Sequence, residues 1–520
     1  MQPLPLSQHA ARLVSQLSQA EKLTPTGGPA YHVAGLGSGF YFAYEQLRNV
    51  AEYREHHLLL RSAIERYLAR YVRLDKYEPM AGDMVTELTQ SGYLKNDSVP
   101  ASVVDDIDEL LGNYAKVYAG LRSAKVDSGT AAQWLDQHAS VHIESLIAPD
   151  PKGNVIMQFA YEHYFYAIDR SAIGKLELTD HEYRIALFCA VQRAIFKSDL
   201  ATTRYYCVSL SLPDLSKQTP EAIIELNTQI DDLYSAPATN RLSRLINRYG
   251  APIRILRELM IEQPQVGQLM KNRGETLGRA KDVTASEYIR ISDNLNKRIT
   301  RSILFVLVTK TLVGIAIEVP YDLYVHGEII WPPLIANILF PVIYLATIAS
   351  RISTPGRQNT EVIAGYIDRI LYDHGGTPVS YKPRRRVKSY SLNVVFSTIY
   401  ALGFIGSLAL LVYILNVAGF NLISGVIFFV FFSAVSFLGF RLRQSANELA
   451  MLDEREGVLP ALMDFLSTPF VRIGHWLSDK YAKANIVTTI LDLAIEMPIK
   501  TSLRLLRQWV GFMRDRNEEL

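Results

Sequence analysis

The spacing of apolar and polar residues changes character near residue 302. Before it, apolar side chains recur every three or four positions, the period of helices with one buried face. After it come four almost unbroken apolar runs: Ile303–Val325, Ile329–Ala349, Leu392–Leu415 and Leu422–Phe440, each of about 19 to 24 residues. At 1.5 Å per residue such a run is long enough to cross a hydrocarbon core of ~30 Å. The links "YVHGE" and "NVAGFN" are short, so the pattern predicts two transmembrane hairpins.

Residues 40–300 predict a helical domain. The stretches "VVDDIDELLGNYAKVYAGLRS", "AAQWLDQHASVHIESLIA", "VIMQFAYEHYFYAIDRSAI" and "DHEYRIALFCAVQRAIFKSD" have helical period and are separated by Gly, Asp or Pro. Thr179 and Glu182 have the spacing of a capping box. Pro220 stands where a helix can begin without losing a hydrogen bond. No strand-turn-strand or alternating strand-helix pattern occurs, so the expected fold is all-α. A further amphipathic helix is expected from about Leu6 to Leu23, within a flexible or partly helical segment 1–39. The domain plan is therefore 1–39, a cytosolic helical domain 40–300, a first hairpin 301–350, a link 351–391, a second hairpin 392–441 and amphipathic helices 442–520.

Charge orients the hairpins. Arg290, Lys297, Arg298 and Arg301 precede the first span, and Arg351 through Lys388 fill the link after the second. Arg441 and Arg443 follow the fourth, while the two short turns carry almost no positive charge. Basic residues stay on the cytoplasmic side, which predicts both termini inside, in a membrane most simply taken as bacterial and cytoplasmic. No positive segment followed by an apolar core opens the chain, so no signal peptide is expected. In the link, Thr360 is placed to cap a helix with Val362, Ile363, Tyr366, Ile367, Ile370 and Leu371 on one face. Lys382, Arg384, Arg385, Arg386 and Lys388 then cluster before the third span. The segments 457–485, 486–497 and 503–513 carry apolar stripes, the last flanked by Arg504 and Arg507. Both basic clusters are candidate contacts for anionic lipid headgroups. The helices that carry the stripes fit either the inner membrane interface or packing on the cytosolic domain.

Candidate chemistry is sparse. The decapeptides "TLVGIAIEVP" (311–320) and "TILDLAIEMP" (489–498) share five identical positions, each with Glu two residues before Pro. One falls in a spanning run and the other in an amphipathic stretch, so the likeness reads as coincidence between two proline-stopped helices. In the first, Lys310, Glu318 and Pro320 form a candidate intramembrane polar site. Eight residues put Lys310 and Glu318 ~12 Å apart along a helix, too far for a simple pair. Glu318 is then an outer anchor or a gate, and Pro320 kinks the helix or opens its hydrogen-bond ladder. The other three runs hold no Asp, Glu, Lys, Arg or His, which a proton relay would require.

His138 and His142, four apart, with Asp136, Glu144, Glu52, His56, Glu162 and His163 elsewhere, make a weak metal candidate. A metal site needs ligands converging from several helices, and no metal or other cofactor is expected. Gly35, Gly37 and Gly39 lack the Lys-Ser/Thr of a phosphate loop. Ser never stands in Gly-x-Ser-x-Gly, and Cys189 has no base beside it. Two cysteines make no disulfide framework. Tyr161–Arg170 reads as aromatic core. A net charge of +2 without a broad basic face gives no reason to expect nucleic acid. The leading expectation is a membrane-anchored interaction or assembly protein, a homo-oligomer or bound to another protein; the competing one is a subunit of an oligomeric channel or transporter. An enzyme ranks third.

Overall fold

The computed structural model describes residues 5–22, 29–33, 42, 45, 56–71, 80–170, 178–263, 265–372, 380–381, 390–452 and 458–484. Among these the chain is all-α, with only isolated β-bridges beside its helices. It divides into two compact units. The first comprises Met1–Arg273, Arg369–Pro383 and Ile486–Leu520; the second comprises Gly274–Asp368 and Arg384–Asn485.

Among the described residues, the longer helices of the first unit are α1 (Gln8–Ala20), α2 (Leu59–Tyr71), α3 (Ala81–Gln90), α4 (Ala101–Ser123), α5 (Ser128–Ile147), α6 (Pro151–Ala167), α7 (Asp180–Val191), α8 (Leu200–Ser211), α9 (Pro220–Tyr234), α10 (Pro237–Tyr249) and α11 (Ala251–Glu262). Their starts follow local chemistry. The Thr179 hydroxyl accepts from the Glu182 amide, and the Glu182 carboxylate accepts from the Thr179 amide, completing the capping box that opens α7. Thr219 caps α9 ahead of Pro220. In α1, Ala10, Leu13, Leu17 and Ala20 are buried at helical spacing. Among the described residues, one core gathers α2 to α5 around Ile64, Leu68, Met84, Ile107 and Ile143. Another gathers α6 to α9 around Phe188, Val208 and Ile230 and includes both cysteines, buried as free thiols.

The second unit begins with α12 (Arg273–Val313), which passes through a five-residue π-helical turn, Gly314–Glu318, into α13 (Val319–Val325). It continues with α14 (Trp331–Ser350), most of α15 (Arg357–Leu371), α16 (Tyr390–Val417), α17 (Leu422–Ala446) and α18 (Val458–Ala484). Four of these helices are long and apolar enough to cross a membrane: the α12–α13 rod, α14, α16 from Ser397, and α17. Gly327 and Gly419, in the two hairpin turns, both take left-handed backbone (φ 76° and 75°) that side-chain-bearing residues avoid. Helix α15 starts at Arg357, so Thr360 lies inside it and is not its cap; Ile363, Ile367, Ile370 and Leu371 are buried as the pattern implies.

Helix α18 packs along α17 and α16, with the Phe465 ring 6.2 Å from Tyr400 and the Phe470 ring 4.6 Å from Phe432. The Arg504 and Arg507 region, Glu496 with Pro498, the cluster from Lys382 through Lys388, and Gly35 to Gly39 lie outside the described residues.

Candidate functional site

The site lies where α12, α14 and α17 meet. Lys310, Glu318 and Asn337 are 0%, 1% and 0% exposed. Around them the polarity is inverted: Leu304, Phe305, Leu312, Ile315, Ile343, Leu402, Ile405, Val412 and Val426 are all roughly half to two-thirds exposed. Charged groups inside and large apolar groups outside is the reverse of a protein folded against water.

Lys310 Nζ stands 3.7 Å from Glu318 Oε1, so the two do pair, and Glu318 is not an outer-interface anchor. The π turn explains the difference from the sequence expectation. Eight α-helical residues overshoot two full turns by ~80°. A π turn takes more residues per revolution, which reduces the overshoot and swings Glu318 back above Lys310. Pro320 accounts for the turn's location: its ring would strike the carbonyl four residues earlier, at Ala316 inside the π turn, and the wider turn relieves the clash. The four-carbon stem of Lys310 covers the remaining distance, and its ammonium also lies 4.4 Å from the centre of the Phe431 ring.

Asn337 escaped sequence analysis, as an amide in an otherwise apolar run. Its Nδ2 donates to Glu318 Oε1 at 2.6 Å and to the Ser424 carbonyl at 3.2 Å. Pro341, within α14, has no amide to donate to the Asn337 carbonyl four residues before, so the second helix is also loosened beside the cluster. Asp322, 3% exposed, was overlooked as well. Its Oδ2 accepts from the Ile330 amide at 3.2 Å and its Oδ1 from Asn421 Nδ2 at 2.9 Å, while Asn421 caps α17 through the Ser424 amide at 2.8 Å. Both hairpin turns are thereby tied together at one end of the bundle.

The cluster is paired in charge and incomplete in hydrogen bonding. Lys310 Nζ, Glu318 Oε2, Asn337 Oδ1 and, on α17, Ser433 Oγ are buried with no hydrogen-bond partner. At 3.7 Å the Lys310–Glu318 contact is an ion pair and no hydrogen bond.

In the first unit the buried charges converge elsewhere. Arg204, on α8 and 1% exposed, donates to Gln137 Oε1 at 2.9 Å, to Asn227 Oδ1 at 2.7 Å and to Asp231, which also accepts from Trp134 Nε1 at 2.8 Å. Arg61 pairs with Glu65 at 2.5 Å and Asp199 at 2.6 Å beside a cleft of about 310 Å³. The arginine at the cleft is therefore already neutralised by its own neighbours.

His138 and His142 share one face of α5, as their spacing implies, yet the partner they share is Tyr114. Its hydroxyl lies 2.5 Å from His138 Nδ1 and 3.3 Å from His142 Nδ1. Burial depresses His138 to about 3 and pushes Glu144 up to about 7. His163, lowered to about 4 by burial, contacts the Tyr381 hydroxyl at 3.0 Å. Among the described residues no group of three or more His, Cys, Asp or Glu could hold a metal ion, and Glu52 lies outside them. Comparisons of the chain with family models, with curated proteins and with solved structures find no match.

Proposed function

We propose that the protein is an integral membrane protein of the assembly or interaction class, its two hairpins anchoring a large helical module at the inner face of a bilayer, most simply a bacterial cytoplasmic membrane. The inverted polarity around Lys310, Glu318 and Asn337 carries this reading. An exposed belt of Leu, Ile, Val and Phe enclosing a buried ion pair is stable in hydrocarbon and unstable in water. The bonds that Asp322 accepts from Asn421 and from the Ile330 amide hold both hairpin turns at one end, in keeping with turns on the outer side and basic flanks inside. Anionic headgroups suit the clusters Lys382–Lys388 and Arg504/Arg507. The paired charges of the cluster suit a structural lock, and α14, α16 and α17 carry no Asp, Glu, Lys or His that would extend them into a relay.

A channel or transporter subunit is the second reading. The unpartnered polar atoms of Lys310, Glu318, Asn337 and Ser433 favour it, because a hydrated or ion-occupied path would satisfy them.

Cysteine labelling in sealed vesicles tests the anchored reading. With Glu328→Cys in the first turn, Ala418→Cys in the second and Ser353→Cys after α14, an impermeant thiol reagent added outside should label the first two and spare the third. Labelling of Ser353→Cys from outside, or of all three equally, contradicts the orientation. Cys189 and Cys207 are buried, so the unmodified chain supplies the background.

A further inference from the structure

The chain leaves the first unit at Arg273 and re-enters it at Arg369. Between these points lie the first hairpin and most of α15. Both ends of this excursion bear on α1. On the outgoing side, α1 packs on the short helical turn Val266–Leu269. A Cβ added to Gly267 in that turn would stand 3.0 Å from Val14 Cγ1 and 3.3 Å from Ser18 Oγ, so the glycine lets α1 lie close. On the returning side, the Ser7 amide donates to the Leu371 carbonyl at 2.8 Å and the Ser7 hydroxyl donates to the Ile370 carbonyl at 3.2 Å. Leu6 beside it forms an antiparallel bridge with Tyr372.

Helix α1 is itself seated on α6. Arg12 stands 3.6 Å from Glu162, and Lys152 of α6 stands 3.0 Å from Glu21 at the other end of α1. Leu13 and Leu17 are buried in this seat, with Ala10 and Ala20 on the same face. The two ends of the excursion also meet directly, where Tyr372 Oη donates to the Met270 carbonyl at 2.9 Å. A single hydrogen bond contributes modestly, because water replaces it when the partners part. Water offers no such replacement to Leu13 and Leu17, so the seat of α1 is the stronger tie.

We propose that α1 is a clasp on the base of the first excursion. Seated, it fixes the segment before α12 and the segment after α15 beside each other. Displaced, it lets them separate, and α12 and α15 then leave the first unit independently. The clasp does not depend on what the hairpin crosses. Its seated and displaced forms are two states of one unit, so whatever favours the displaced helix opens the base. The N-terminal helix is thereby coupled to the first hairpin although some 250 residues of chain separate α1 from α12.

Distances between paired nitroxide labels on the full chain, held in lipid nanodiscs, test this. Gln268→Cys and Arg369→Cys carry the labels at exposed positions on the two sides of the base. With α1 intact the pair should give one narrow distance distribution. Leu13→Asp/Leu17→Asp, which removes the apolar seat, and Gly267→Leu, which wedges the outgoing turn off α1, should each at least double its width. Tyr372→Phe, which removes the direct bond alone, should leave it narrow. A second pair, Asp106→Cys and Thr228→Cys at exposed positions of α4 and α9, should keep its distance throughout. A first pair that stays narrow in either α1-displacing variant overturns the proposal, as does an equal opening by Tyr372→Phe. Broadening of both pairs together also overturns it, since α1 would then belong to the core of the unit and be no clasp.

Discussion

Replacing Lys310 by Met is expected to cost the second unit about 3–5 kcal/mol, enough to leave little folded protein in the membrane. The cost comes from what remains: Glu318 Oε1, now without its cation, still buried at the bundle centre with Asn337 as its neighbour. Glu318→Gln strands an ammonium whose remaining compensation, among the described residues, is the Phe431 ring, and should be harmful to a similar degree. The double variant Lys310→Met/Glu318→Gln removes both charges and leaves Gln able to bond to Asn337. It should recover most of the loss, giving an interaction energy of a few kcal/mol in a double-mutant cycle read from the folded fraction in detergent. Additive losses would mean the two groups act independently. Ion flux through reconstituted vesicles, followed in the same samples, separates the two functional readings: a wild-type flux abolished in folded Glu318→Gln protein would favour the channel.

The second large effect belongs to Arg204. Arg204→Met removes a buried guanidinium that holds Gln137, Asn227 and Asp231 from α5 and α9. These acceptors lose their donor inside the unit, and Asp231 keeps Trp134 as a donor. Loss of about 3–5 kcal/mol should lower the midpoint of the helical thermal transition by on the order of 10 °C. Arg204→Lys retains the charge but cannot fork to three acceptors, and should fall between. A Lys variant as stable as the original would show that charge, and not the fork, is what the site requires.

The four apolar helices were legible because about twenty consecutive apolar residues find shelter from water in few settings besides a bilayer. Helix starts at Thr179 and Pro220 were legible because capping is local chemistry. What the sequence concealed depends on three-dimensional phase. The Lys310–Glu318 pair cannot be counted out at 3.6 residues per turn, because Pro320 is accompanied by a π turn that resets the phase between them. The proline two residues after Glu318 was the available signal. Asn337 and Asp322 needed a different question, namely which polar residues in an apolar run have no water to face. The apolar stripe of α18 fitted the inner interface or the cytosolic domain equally, and its packing on α16 and α17 depends on which aromatic rings face it there. Gly474, which permits the close approach to the Ser433 carbonyl, carries no such meaning until that neighbour is known.

The central claim is that the apolar belt faces lipid and the polar cluster does not face water. Nitroxide labels at Leu312, Ile405 and Val426, read by power saturation in reconstituted bilayers, test it most directly. Oxygen, which concentrates in hydrocarbon, should relax all three strongly, and a water-soluble nickel chelate should have little effect. Strong relaxation by nickel at these positions, with little effect of oxygen, would contradict the account.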